Sequence, residues 1–84
     1  MTTADEVREY ALVALIKPAR RKGKNTVSFS CADIHTGMGL QGYYRLVCSA
    51  IDAHKFQDYA SVTLAKRSGQ KETSSYSWAF ELIS

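Results

Sequence analysis

Residues Cys31 to Asp52 read CADIHTGMGLQGYYRLVCSAID, two apolar patterns parted by Gly39-Leu40-Gln41-Gly42. Ile34 and Met38 are spaced by one helical turn. Tyr43, Leu46, Val47, Ala50 and Ile51 recur at the three-and-four spacing of a second helix. The pattern predicts helices over 31–38 and 42–54 joined by a tight turn, with Gly39 supplying the left-handed residue that ends the first. Ser30 with Asp33 three places on is a capping-box variant that sets the first helix's start. A helical wheel of the second puts His54 on the buried stripe, Gln41, Arg45, Ser49 and Asp52 opposite it, and Tyr44 and Cys48 at its flanks.

Working outward, Thr26-Val27-Ser28-Phe29 alternates and predicts a short strand over 26–29. Before it, Thr3 and Glu6 form a T-x-x-E box ahead of Val7, Tyr10, Ala11, Ala14 and Leu15, which predicts a largely buried helix over 4–17. Pro18 disfavours helical geometry at Lys17, so this helix is expected to end or kink there, leaving a basic connector over 18–25 that has room for one further helical turn. After the central helices the period changes to two. Strands are predicted over 60–66 and 75–82, a hairpin with a long polar tip. Val62, Leu64, Tyr76, Trp78, Phe80 and Leu82 should share its inner face, with Trp78 anchoring the hairpin on the helices.

The chain's 84 residues allow one compact domain, and 45% apolar with 23% charged residues is a globular composition. No apolar run approaches the length of a membrane span and residues 1–4 show no signal-peptide pattern, so a soluble protein, cytoplasmic or nucleoid-associated, is expected. The net charge of +3 is unevenly placed. Lys17, Arg20, Arg21, Lys22 and Lys24 fall within eight residues without an acid, while the rest of the chain holds six basic against eight acidic residues. Lys66, Arg67 and Lys71 form a second group. Concentrated cations are the footprint of a polyanionic partner.

Catalytic and metal readings are weak. Gly37-x-Gly39-x-x-Gly42 matches a dinucleotide fingerprint in letters only, because it lies between helices rather than after a strand. Cys31 with His35 lacks a third orienting group. Cys48 and His54, six apart, fall on different faces of a helix, so zinc is not expected despite four suitable side chains. Neither an enzyme nor a cofactor is expected.

The order helix, strand, helix, turn, helix, strand, wing loop, strand resembles the winged helix-turn-helix family over almost the whole chain. The likeness rests on Ile34, Met38, Gly39, Leu40, Leu46 and Val47 and on the terminal hairpin. Gly39 to Leu46 is one residue longer than the family's usual spacing, so either Tyr43 fills the first buried position or the turn is extended around Gly42. The resemblance implies a small α+β fold of three helices with a short strand and a C-terminal β-hairpin wing. It also implies double-stranded DNA as partner, as for a transcription regulator or a DNA-targeting module. By position, Gln41, Tyr44, Arg45 and Ser49 would face the major groove, with Arg45 suited to a guanine edge. Lys66, Arg67 and Lys71 would set the wing on phosphates. Lys17, Arg20, Arg21, Lys22 and Lys24 would join them if the connector lies on the same side. The alternative is a winged helix that binds a protein partner or a second copy of itself, using exposed aromatics such as Tyr44 or Tyr59.

Overall fold

The computed structural model describes residues 2–70 and 73–83. Helix α1, Ala4–Ala11, starts at the predicted capping box: Glu6 N–H donates to Thr3 Oγ1 at 3.2 Å and Thr3 N–H to Glu6 Oε1 at 3.1 Å. The helix does not stop at Pro18. It runs on through a π-helical turn, Leu12–Ile16, into α2, Lys17–Arg21, with Lys17 fully helical at φ −60° and ψ −44°. Pro18 lacks an N–H and its ring would strike the carbonyl four residues back in a regular helix. The widened turn, in which Lys17 N–H reaches back to Leu12 O, spreads those carbonyls on a side where Val13 and Ala14 face solvent. The connector is therefore only residues 22–25. It begins with a Schellman cap, Gly23 at φ 73°, Gly23 N–H on Arg20 O and Lys24 N–H on Ala19 O, both at 3.0 Å.

Strand β1, Thr26–Ser30, leads directly into α3, Cys31–Gly37, through the Ser30–Asp33 capping box. A second Schellman cap ends α3, with Gly39 at φ 68° and Leu40 N–H on His35 O at 2.9 Å. The link to the next helix is long, with a second left-handed residue at Gly42, and α4 is Tyr44–Asp52. Gln41 and Gly42 thus precede the helix. The expected continuation to His54 is broken at Ala53 (φ −67°, ψ 137°), and a separate helix α5, His54–Ala60, follows. His54 is exposed rather than on the buried stripe, with Nδ1 3.4 Å from Asp58 Oδ2.

Ser61 (φ 55°) turns the chain into β2, Val62–Ser68, which pairs with β3, Ser77–Leu82. The hairpin therefore starts later than residues 60 and 75. The sheet is antiparallel with order β1-β3-β2. Val62 pairs with Leu82 and Leu64 with Phe80; a bulge at Ala65 then sets Lys66 opposite Ala79 and Arg67 opposite Trp78. Helices cover one face of this α+β fold. Trp78, Phe80 and Phe29 pack there with Phe56, Ile16, Ile34, Ile51, Val7 and Val47. Phe29 lies 5.8 Å from Trp78 and Phe56 meets Phe80 edge-on at 5.4 Å. The other sheet face, with Thr26, Ser28, Thr63 and Glu81, is exposed.

Candidate nucleic-acid interface

The exposed side of α4 is held in place by contacts at both helix ends. At its start, Tyr43 N–H donates to His35 Nε2 at 3.1 Å, and Tyr44 stacks on the His35 ring with centroids 4.1 Å apart. His35 is the buried histidine of the fold, and Tyr44 is half-buried over it instead of facing outward. Beneath it Cys31 Sγ lies 3.7 Å from Tyr44 O and 3.5 Å from Cys48 Sγ. Both thiols are buried and neither forms a disulfide; burial, then the hydrogen bond with Cys48, pushes Cys31 up to about 12. In the last turn, Arg8 Nε donates to Ala50 O at 3.0 Å and ties α1 to α4.

The far end of α4 carries the feature that sequence reasoning misread. Asp52 does not lie on the outer face with Arg45 and Ser49. Its carboxylate turns under the hairpin and accepts from Trp78 Nε1 at 2.8 Å, Tyr76 OH at 3.2 Å and Arg67 Nε at 2.8 Å. The Tyr76 hydroxyl is shifted upward, first by burial and then by the negative charge of Asp52, and Arg67 is shifted upward by its hydrogen bond to Asp52. A signal for this hub did exist in the sequence. A buried indole N–H needs an acceptor, and Trp78 on the inner face of the hairpin could find one only on a packed helix.

The predicted contact residues are thereby sorted. Arg45 and Ser49 stand exposed one turn apart on α4, with Gln41 exposed in the loop before it. Lys66 and Arg67 sit on opposite faces of β2: Lys66 is exposed, and Arg67 reaches back to Asp52 with about half its side chain in solvent. Lys71 lies outside the described residues. In the first basic group, Lys17, Arg21, Lys22 and Lys24 are exposed, whereas Arg20 caps α5 by donating through Nη2 to Ala60 O at 2.7 Å and Ser61 O at 2.6 Å.

The connector cations lie at one end of the sheet; in the other group Lys66 sits near the sheet's middle, in register with Ala79 and Ser28, and Arg67 one step nearer the hairpin tip. Residues 22–25 enter the sheet at Thr26, beside Glu81 and Thr63, whereas the hairpin tip lies beyond Ser68 and Ser77, beside Ser30. Four strand steps, about 13 Å, separate Thr26 from Ser30. Helix α4 belongs to the tip end, through Asp52 at one terminus and through the Cys31–Tyr44 contact at the other. The connector cations are not part of the α4 surface.

No family model matches this chain, and neither a curated protein nor a solved structure does. Among the described residues no helix is long and apolar enough to cross a membrane, and no group of three or more His, Cys, Asp or Glu side chains is placed to hold a metal.

Proposed function

We propose that this chain is a double-stranded DNA-binding module of the winged helix-turn-helix kind, with α4 entering the major groove and the β2–β3 hairpin lying along the flanking backbone. The order α1, β1, α3, α4 and hairpin, with sheet order β1-β3-β2, supports the architecture. The observation that carries the reading is the inward turn of Asp52. It withdraws the one acid of α4 from the outer face, where it would repel phosphates, and it ties the hairpin to the helix. Arg45 then supplies the charge on a surface otherwise made of Gln41, Gly42 and Ser49, small enough for close approach to base edges.

The test is selection of preferred sequences from a random duplex pool, paired with anisotropy on a labelled random duplex. Arg45→Ala should flatten the selected preference while weakening binding to random duplex only slightly, and Lys66→Ala should weaken binding evenly across sequences. Loss of affinity with unchanged preference removes Arg45 from base reading. Absence of duplex binding at low salt removes the whole proposal and leaves the protein-interaction alternative, which draws support from the position of the connector cations away from α4.

A further inference from the structure

The second basic group borders an unused sheet edge. β1 is an edge strand, bonded to β3 on one side. The bonds from Leu82 N–H to Asn25 O and from Cys31 N–H to Tyr76 O fix the phase of the ladder. Residues 25, 27, 29 and 31 bond to β3, so Thr26 and Ser28 turn both main-chain groups outward. Ser30 N–H also points that way but is taken by Asp33 Oδ2 at 2.8 Å. Among the described residues nothing bonds to the four outward groups of Thr26 and Ser28, and both residues are exposed.

These groups open into a groove between β1 and the helical rod. Its lining is mixed: Leu15, Pro18 and Val27 supply apolar surface, and Lys22 and Lys24 supply positive charge. Residues 10–32 contain no acid, and Lys17 and Arg21 stand exposed on α2 just before the groove. The nearest acid in the sheet, Glu81 opposite Thr26, lies on the outer sheet face.

We infer that this edge binds a short, acidic, extended peptide segment of a partner protein, which adds to β1 as a fourth strand. The main-chain groups of Thr26 and Ser28 would hold the added strand, Lys22 and Lys24 would pair with its carboxylates, and alternate apolar side chains would rest on Leu15, Pro18 and Val27. Two donors and two acceptors alternating at strand spacing favour a peptide over a nucleic acid, because a phosphodiester backbone offers acceptors only. The surface is separate from α4, so this inference does not rest on α4 binding DNA, although a duplex that reached the connector cations would compete for it.

The experiment uses the full chain and a labelled, end-capped heptapeptide of alternating Glu and Val, followed by anisotropy. Binding should be saturable and should weaken roughly tenfold or more in the Lys22→Glu/Lys24→Glu double variant. A Lys/Val peptide of the same length should not bind. Ser28→Pro removes an outward N–H without removing a β1–β3 bond, and proline is tolerated on an edge strand, so the variant should stay folded and bind roughly tenfold more weakly. Should that variant unfold, two Glu/Val peptides N-methylated on alternate sets of amides decide the matter on the unaltered protein. Only one of the two sets faces the edge, so one peptide should lose binding and the other keep it. Equal binding by both methylated peptides, or unchanged binding by folded Ser28→Pro, overturns strand addition. Displacement by random duplex DNA that leaves Ser28→Pro equivalent to the unaltered protein shows a general polyanion patch instead.

Discussion

Replacing Asp52 by alanine removes the acceptor shared by Trp78, Tyr76 and Arg67. Trp78 is 2% exposed, so its indole N–H would be left buried without a partner, at a cost of about 1–3 kcal/mol. The Tyr76 hydroxyl loses a charged acceptor but lies nearer solvent, adding about 1 kcal/mol. Arg67 has about half its side chain in water, and its ion pair adds at most about 1 kcal/mol after screening. The total is about 3 kcal/mol, a large share of the stability of a domain this small. Thermal unfolding followed by far-UV circular dichroism should therefore shift down by roughly 12–24 °C. Asp52→Asn keeps an oxygen for Trp78 Nε1, and its amide can donate to a rotated Tyr76 hydroxyl, so it should lose only about a third as much. Arg67→Ala should cost under about 1 kcal/mol. The order Ala, then Asn, then the Arg67 variant is what identifies a hydrogen-bond hub. An Asp52→Ala protein melting within about 4 °C of the unaltered one, or an Arg67→Ala variant as damaging as Asp52→Ala, refutes it.

The protein should lose stability in alkali. Cys31 is raised to about 12 from 9.0, so the unfolded chain releases this proton first; the stability is intact below pH 9 and drains as pH climbs towards 12, at about 1.4 kcal/mol per pH unit. Tyr76, also raised, adds to the loss above its ordinary value near 10; Cys31→Ala should reduce the slope in urea titrations between pH 9 and 11, and an unchanged slope would dismiss the Cys31 contribution. A methyl group at Gly37 would collide with the hydroxyl end of Tyr10 at the α1–α3 contact. Gly37→Ala should therefore destabilise by about 1–3 kcal/mol despite alanine's better helix propensity, and Tyr10→Phe in the same chain should recover part of the loss; strict additivity would show that the two side chains do not meet.

The elements legible in the sequence are those set by neighbours along the chain. Both capping boxes, the left-handed end of α3 at Gly39 and the alternation that buries Val62, Trp78 and Phe80 are local chemistry, and all appear where expected. The errors arise where packing overrides local preference. Pro18 reads as an end or a kink, yet the π-helical turn before it lets the rod continue until Arg20 can cap α5. Ala53 carries no breaking signal, and the break serves Phe56. On an unbroken helix Phe56 would sit about 140° round from Ile51, away from the core. Extending Ala53 swings Phe56 onto Phe80 and turns His54 outward. Asp52 departs from the expectation for a related reason. A helical wheel ranks it as outer, but it stands at the last turn, where the hairpin folds over the helix end. The position of the connector cations depended on strand order and could not be read from spacing.

That position makes salt dependence a test of which surface would meet DNA under the proposed function. An interface confined to α4 and the hairpin draws, among the described residues, on Arg45, Lys66 and Arg67, the last already engaged with Asp52. Neutralising three phosphates gives a slope of about −2.7 in log affinity against log salt, so raising salt fourfold should weaken binding about 40-fold. If Lys17, Arg21, Lys22 and Lys24 also touched the duplex, seven contacts would give a slope near −6 and a loss of several thousandfold, about 6,000. The two values are far enough apart for anisotropy titrations to separate them. A shallow slope, unchanged in Lys22→Glu/Lys24→Glu, assigns DNA to the α4 end and leaves the connector cations to the β1 edge. A steep slope that the double variant flattens would mean that one bent duplex spans both ends of the sheet, and it would remove the reason for giving the basic connector a partner of its own.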